Sequence, residues 1–170
     1  LKNAVKQCYL NDGDNMYLLS GYPWGKILAR NTFMALPGAT IAINHREDYE
    51  KIANTALNAL KRFMETGERD ERLLGIDLPD IPLWAIWAIQ QYAKTYGRDE
   101  ARRRYFPVVK EIITYILAGK HPYLGIDENG MVTTNGSDKP MSWMNASLGG
   151  RPIVPRTGYL VEFNALWYNA

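Results

Sequence analysis

The sequence predicts an all-α fold, a ring of helical hairpins with a long loop-rich insertion that contains a short β-hairpin. Two observations lead to this fold class. Apolar residues recur with helical spacing along most of the chain. Segments that are apolar on every side alternate with segments that are apolar on one side only, as the inner and outer helices of a ring would. The insertion, residues 119–161, is dense in Gly, Pro, Asn, Ser and Asp.

The first buried segment is 33–44, FMALPGATIAIN. Pro37 and Gly38 interrupt its apolar run, and a proline inside a helix removes one backbone hydrogen bond. The sequence therefore predicts either a short buried helix with a bend, or a helix whose first regular turn lies near Pro37.

The first outer helix is predicted over 47–66, EDYEKIANTALNALKRFMET. Its charged and amide side chains take one face, and Gly67 follows as the kind of C-terminal cap that glycine often forms. The apolar face is Tyr49, Ile52, Ala53, Ala56, Leu57, Leu60, Phe63 and Met64. This amphipathic pattern predicts a helix that is half exposed to solvent.

The second buried helix is predicted over 82–96, PLWAIWAIQQYAKTY. Pro82 suits the first helical turn, where its missing N–H costs nothing. Apolar side chains surround nearly the whole circumference, namely Leu83, Trp84, Ile86, Trp87, Ile89 and Tyr92. A helix of this kind is expected to be buried on all sides.

The second outer helix is predicted over 98–118, with Asp99 as its N-terminal cap and Gly119 at its end. Pro107 should either kink this helix or divide it in two. Its apolar stripe consists of Val108, Val109, Ile112, Ile113 and Ile116.

In the insertion, the apolar pieces LGI and MV flank DENG, which predicts a β-hairpin turn. Long connections with little regular structure are often functional, and the embedded Trp143 and Tyr159 argue against disorder. A last helix is predicted to begin with VEFNALWYNA at 161. Because Leu166 and Trp167 stand at its end without a cap, we expect residues 1–170 to be one domain excised from a larger protein. Self-association of such a fragment would cover its buried-type helices.

Composition narrows the function classes. The net charge of +2, from 20 basic and 18 acidic residues, gives no reason to expect nucleic acid as a partner. No stretch approaches the length of a membrane span. The single cysteine, Cys8, favours a reducing compartment such as the cytoplasm. Five Trp and 11 Tyr beside 4 Phe hint at a sugar-binding cleft, because these rings combine a flat apolar face with a polar group.

Motifs for several other chemistries are missing. His45 and His121 are far apart and lack partners at metal-ligand spacing, so neither a metal nor any other cofactor is expected. The NDGDN stretch at 11–15 lacks the rest of a calcium loop and is expected to be a solvated turn. The sequence has no glycine-rich phosphate loop after a strand and no serine nucleophile elbow.

Polar and aromatic residues lie at or near the start of each buried helix. If the buried helices line one axis, their starts would meet at one end. Taken singly, each such residue is more simply a cap or a core residue. Taken together, the recurrence favours a site. The candidates for substrate binding are Tyr22, Trp24, Arg30, Asn31, Trp84, Trp143, Asn145, Arg156 and Trp167, and the acidic candidates are Asp80 and Glu162.

These segments resemble the amylo-α-1,6-glucosidase domain of glycogen debranching enzymes. The resemblance rests on GYPW, ARNTFMALPG, DIPLWAIWAIQQY, IDENGMV, MSWMNA and PIVPRTGYLVEFNALWYNA, in that order, from about residue 20 onward. It implies an (α/α)6 barrel with a site at one mouth, of which this chain would be a part. It also implies inverting hydrolysis of the α-1,6-linked glucose at a glycogen branch point, and an α-glucan as the partner.

Two positions depart from the family pattern. Asn31 and Asn145 stand where the family has Asp, and an amide cannot donate or accept a catalytic proton. Because inverting hydrolysis needs two carboxyl groups, the predicted catalytic pair becomes Glu162 with Asp80 or another Asp. Two alternatives stay open: a degenerate homologue that binds α-glucan without cleaving it, and a purely structural helical domain.

Overall fold

The computed structural model describes residues 2–136 and 139–170. Residues 137 and 138 of the predicted insertion lie outside the described residues. The described part is mostly helical, with a few short antiparallel strand pairs. Its α-helices are α1 (Lys2–Lys6), α2 (Ala29–Ala39), α3 (Arg46–Thr66), α4 (Ile81–Tyr96), α5 (Arg98–Leu117) and α6 (Val161–Tyr168), and a 3-10 turn spans Ile41–Ile43.

The strands form three separate antiparallel pairs. They are β1 (Tyr9–Asp12) with β2 (Asn15–Leu18), β3 (Leu124–Ile126) with β4 (Val132–Thr134), and β5 (Ser147–Leu148) with β6 (Arg151–Pro152). The β3–β4 pair confirms the hairpin predicted around DENG. The β1–β2 and β5–β6 pairs were not predicted, so the all-α fold class is corrected to a mostly helical one.

The most regular helices match their predictions closely. Helix α3 begins one residue earlier than predicted and ends at Thr66. Gly67 adopts a left-handed conformation (φ 76°) and its N–H donates to the Phe63 carbonyl at 2.8 Å, which confirms the predicted cap. Helix α4 carries Pro82 in its first turn. Most of its side chains are buried, but Trp84 and Trp87 are only half-buried.

Each proline-containing helix rules out one of its two predicted alternatives. Helix α2 begins at Ala29, so Pro37 lies near its end instead of at its first regular turn. In that position the missing N–H removes one late hydrogen bond only, and Thr40 still donates to the Leu36 carbonyl at 3.1 Å. Helix α5 is continuous through Pro107. Its N-cap residue is Gly97 without a side-chain cap bond, so the predicted Asp99 cap is wrong.

The outer helices run in the same direction as each other. Arg46 near the start of α3 pairs with Glu100 near the start of α5 at 2.5 Å, and Lys61 pairs with Glu111 farther along both helices at 3.1 Å. Helix α4 runs opposite to α5, because only Gly97 connects them and the Tyr92 ring lies 5.3 Å from the ring of a tyrosine in α5, Tyr105.

Helices α2 and α4 begin side by side. Arg30 in the first turn of α2 bonds Asp80, the residue before α4. In addition, Ala29 N–H donates to the Leu74 carbonyl at 2.9 Å. The chain leaves α2 and enters α3 at the opposite end, where Tyr49 packs on Tyr92 with ring centroids 5.0 Å apart. Helix α2 is therefore parallel to α4.

Helix α6 also runs parallel to α4. Gln90, well inside α4, hydrogen-bonds the carbonyl of Asn169 just beyond the end of α6. The other end of α6 follows Gly158, which pairs with Thr134 of β4, and the β3–β4 hairpin continues from the end of α5. The starts of α2, α4 and α6, at Ala29, Ile81 and Val161, therefore lie toward one side of the fold. We call this side the common N-terminal end.

The core joins all these elements except α1 and the β5–β6 hairpin. Its largest fully buried side chains include Phe33 of α2, Tyr49 of α3, Tyr92 of α4 and Phe163 of α6. The buried Tyr49 hydroxyl donates to the Ala88 carbonyl at 2.8 Å, which satisfies its only polar group. No helix in the described residues is long and apolar enough to cross a membrane.

We expect the burial of His121 to make the fold sensitive to acid. It lies buried among aromatic rings, with Phe63 at 5.9 Å and Tyr115 at 6.0 Å, and burial lowers its pKa from 6.5 to about 4. Above pH 6.5 the imidazole is neutral in both the folded and the unfolded chain. Below it the unfolded chain binds a proton that the folded chain does not, so stability is lost as the pH falls toward 4, by about 1.4 kcal/mol per pH unit.

His121→Phe should flatten this pH dependence while keeping the aromatic packing. Urea unfolding of both proteins between about pH 7 and about pH 4.5 measures the effect. The variant loses the acceptor of the Tyr123 N–H bond (3.1 Å) at every pH, so the slope with pH is the diagnostic quantity. An unchanged slope in the variant would show that other groups control acid unfolding.

Candidate functional site

A buried ion pair joins the starts of α2 and α4. Arg30 Nε lies 2.5 Å from Asp80 Oδ2, and its Nη2 lies 3.0 Å from Oδ1. Only 7% of Arg30 and 1% of Asp80 is exposed. Burial raises the pKa of the Asp80 carboxyl above its usual range, and the Arg30 guanidinium opposes that shift. Both carboxylate oxygens of Asp80 are thus occupied by one guanidinium in a bidentate arrangement.

A second, more accessible ion pair lies at the start of α6. Arg156 Nη2 lies 2.7 Å from Glu162 Oε1 and 2.8 Å from Oε2, and only the Oε2 contact has hydrogen-bond geometry. The exposed fraction of the Glu162 side chain is 28%. Glu162 occupies the first turn of the helix, where the helix dipole favours a negative charge.

Trp143 and Met144 of the insertion contact the arginine of this second ion pair. The Arg156 guanidinium carbon lies 6.0 Å from the centre of the Trp143 ring, and Nη1 lies 3.1 Å from Met144 Sδ. Trp143 is 61% exposed, so much of its ring is open to a ligand. The structure thus brings together three predicted site residues that are separated along the chain. We call Trp143, Arg156 and Glu162 the Glu162 cluster. Asn145 is exposed beside it, and its N–H donates to the Trp143 carbonyl at 3.0 Å.

Asn31 faces away from its neighbour Arg30. Whereas Arg30 is buried, Asn31 is exposed and lines a groove of about 410 Å³. The other lining residues are Leu18, Leu19, Ser20, Met34 and Ala35. The arginine therefore holds two helices together, and the asparagine presents its amide to solvent.

The other predicted aromatic residues are dispersed. Tyr22 and Trp24 are exposed in the loop before α2. Trp84 packs edge-on against Trp87 with ring centroids 5.4 Å apart. The Trp167 indole donates to the Gly130 carbonyl at 2.9 Å. None of these contacts joins the Glu162 cluster, and Asp80 and Glu162 belong to separate ion pairs.

Sequence reasoning missed the partnership of Arg30 with Asp80, although both residues were candidates. The sequence did contain an indication of this pair, since two opposite charges stand at or just before the starts of two buried helices. It also missed Met144 as a contact of Arg156. No sequence signal indicates that contact, and Arg156 has a left-handed backbone conformation (φ 49°), which is not typical of arginine.

Within residues 2–136 and 139–170, no group of three or more His, Cys, Asp or Glu side chains could hold a metal ion. His45 lies 2.9 Å from Asp48, and His121 is enclosed by aromatic rings. The NDGDN stretch is exposed, as predicted, and consists of the turn at residues 13–14 with the adjoining ends of β1 and β2.

Comparison with models of known protein families gives a match. A family described as amylo-alpha-1,6-glucosidase matches residues 4–170, which is nearly the whole chain. Neither the curated proteins nor the solved structures contain a significant match.

Proposed function

The chain belongs to the amylo-alpha-1,6-glucosidase family, a glycogen-debranching type of glycoside hydrolase domain, and from this premise we propose that it binds branched α-glucan at the common N-terminal end. There it releases the α-1,6-linked glucose at branch points with inversion of configuration. The observation that carries the proposal is the Glu162 cluster, in which Arg156 holds the carboxylate of a partly exposed glutamate and lies over the ring of the exposed Trp143.

The chemistry needs two carboxyl groups about 6.5–9.5 Å apart, one acting as the acid and the other activating water. Glu162 is suited to activate water because part of its side chain is accessible. Asp80 is the candidate acid, since burial raises its pKa in the direction that an acid requires. Arg30 occupies both Asp80 oxygens, so a sugar reaches Asp80 only if that ion pair opens.

That enclosure favours a second candidate function, binding of α-glucan without cleavage. Asn31 and Asn145 stand where the family pattern has Asp, and Asp80 is buried against Arg30. Among the predicted site residues, Glu162 is then the one carboxylate that a ligand can approach. A domain with a single accessible carboxylate can still hold a sugar, because stacking and hydroxyl bonds need no proton transfer.

The helix directions support a wider architecture. We assign α2, α4 and α6 to the inner ring of an (α/α)6 toroid and α3 and α5 to its outer ring. On this proposal residues 1–170 are one domain and part of a larger barrel in the cytoplasm. Residues 119–161 shape its site, with Tyr22, Trp24, Trp84 and Trp167 as further sugar contacts. Self-association could cover inner-helix surface that the chain leaves exposed, such as Met34.

Incubating the complete protein with a limit dextrin and measuring released glucose separates the two functions. Hydrolysis predicts glucose release. The binding function predicts none, and it predicts that Trp143→Ala weakens dextrin binding at least about tenfold, or about 1.4 kcal/mol. Tyr168→Ala is the matched control, because Tyr168 is an exposed aromatic residue (91%) at the far end of α6.

Restoring the family carboxylates gives a further comparison. If the protein is degenerate, Asn31→Asp together with Asn145→Asp should raise glucose release above that of the unaltered protein. If neither release nor binding is detected in any of these proteins, both proposed functions are wrong and the domain is purely structural.

A further inference from the structure

We propose that Asn164 is a positioning residue, which sets the Arg156–Glu162 pair by fastening the first turn of α6 to the free edge of β4. The inference rests on the proposed function for its catalytic meaning. Its structural content stands on contacts within the chain. Helix propensity does not explain why an asparagine stands at this position, because asparagine is a weak helix former.

The side chain of Asn164 makes the hydrogen bonds to β4 that a neighbouring strand would make. Its Oδ1 accepts a hydrogen bond from the Val132 N–H at 2.9 Å, and its Nδ2 donates to the Val132 carbonyl at 3.0 Å. This is the paired pattern that a neighbouring strand would supply. Nδ2 also donates to the carbonyl of Leu160, the residue before α6, at 3.1 Å. One amide therefore ties β4 to the helical turn that contains Glu162.

The free edge of β4 offers two positions for such contacts. Met131, the odd-numbered residue just before β4, directs its carbonyl toward the β3 side of the hairpin. There it accepts a hydrogen bond from the Asp127 N–H at 2.9 Å. Successive residues of a strand direct their backbone groups to opposite sides. Val132 and Thr134 therefore turn theirs to the outer edge, where Val132 meets Asn164 and Thr134 meets Gly158.

The Thr134 contacts fix the Arg156 side of the pair. Thr134 and Gly158 exchange two backbone hydrogen bonds, at 3.0 and 2.8 Å, and the Thr134 hydroxyl lies 3.3 Å from the Arg156 carbonyl. Two residues of a strand span about 6.6–6.8 Å. This spacing sets the distance between the Arg156 backbone and the first turn of α6, and it allows Arg156 Nη2 to reach both Glu162 oxygens.

Removing the amide should release this geometry. In Asn164→Ala, Val132 loses its outer partner and the first turn of α6 loses its side-chain link to β4. Asn164→Asp keeps the size and the acceptor of the side chain but loses both donated bonds. It serves as the second variant if the alanine variant folds poorly. Asn169→Ala is the matched control, because the Asn169 amide bonds only its own helix, at the Ala165 carbonyl (2.7 Å).

The first measurement is the NMR signal of the Arg156 guanidinium Nη groups in the ligand-free complete protein, below the melting temperature of every variant. We expect slow guanidinium rotation in the unaltered protein and in Asn169→Ala, and at least about tenfold faster rotation in the Asn164 variants. Unchanged rotation in a folded Asn164 variant overturns the proposal. The measurement uses no glucan, so it does not depend on the proposed function.

The second measurement is the action of the same proteins on limit dextrin. The proposal predicts that the Asn164 variants lose at least about tenfold in kcat, or in dextrin affinity if the protein only binds, while Asn169→Ala keeps both. If the unaltered protein neither binds nor cleaves dextrin but the guanidinium signal responds to Asn164, the proposed function fails and the positioning role stands. If rotation changes while dextrin activity or affinity stays the same, the positioning role for glucan chemistry is overturned.

Discussion

Arg30→Met should lower the free energy of unfolding by about 3–5 kcal/mol, the largest loss that we expect from a single polar substitution in this chain. The change leaves Asp80 buried at the start of α4 without its guanidinium, and a buried unpaired carboxylate costs much more than the lost hydrogen bonds alone. Urea or thermal unfolding monitored by circular dichroism measures the effect at about pH 7.

The double change Arg30→Met with Asp80→Leu is the control. It removes both charges and keeps comparable volume, so most of the lost stability should return. Lys61→Met removes a cation from an exposed pair with Glu111 and should cost less than about 1 kcal/mol. A loss of less than about 1 kcal/mol in Arg30→Met would show that water reaches Asp80 and that the pair is not a buried link between the helices.

The same variant should also respond to pH. Without Arg30, the largest influence that lowers the Asp80 pKa is gone, so burial raises that pKa further. A group whose folded pKa lies above its unfolded value contributes stability below the unfolded pKa and loses it as the pH rises through the folded pKa. Arg30→Met should therefore be destabilised less near pH 4 than near pH 7, when each is compared with the unaltered protein at the same pH.

The helices with strong periodicity were predictable because their patterns have simple physical causes. A single apolar face and a following glycine define α3, and an apolar circumference with a proline in the first turn defines α4. One miss arises where tertiary contacts override local chemistry. Helix α2 starts at Ala29, before its apolar run, because the Arg30–Asp80 pair and the Ala29–Leu74 bond secure its first turn.

The unpredicted strands have a different origin. Residues 16–18 of β2 are all buried, whereas β1 is mostly exposed, so neither strand shows the alternation that identifies a half-buried strand. Strand β2 packs on α3, where Met16 N–H donates to the Thr55 hydroxyl at 3.1 Å. Strands β5 and β6 have two residues each, and no sequence pattern of that length is informative.

The candidate site was predictable in its members and not in its pairing. Sequence position suggested that residues before the buried helices would lie at one end, and the helix directions agree with that expectation. The sequence does not show which acidic residue pairs with which arginine, since Arg30 could have paired with Glu162 as easily as with Asp80. Burial separates the two ion pairs, and burial depends on how α2 and α4 pack together.

Glu162→Gln should abolish glucose release from limit dextrin, by at least about 10²–10⁴-fold if Glu162 activates the attacking water. The amide keeps the shape of the side chain and can still contact Arg156, but it cannot accept the proton. Stability should change by less than about 1 kcal/mol, because the pair with Arg156 is partly exposed. Reducing-sugar or glucose assays with the complete protein measure the rate, and thermal unfolding measures the stability.

Glu111→Gln is the matched control, since it removes a glutamate from an exposed ion pair on the outer helix α5. It should leave glucose release unchanged. If Glu162→Gln cleaves dextrin as fast as the unaltered protein, Glu162 is not the water-activating carboxylate and the catalytic pair lies elsewhere. If the unaltered protein binds dextrin without cleaving it, the same substitution should change affinity by less than about tenfold, because an uncharged amide can still bond sugar hydroxyls. The size of the Glu162→Gln effect on rate and on affinity thus separates a carboxylate that moves a proton from one that only contacts the sugar.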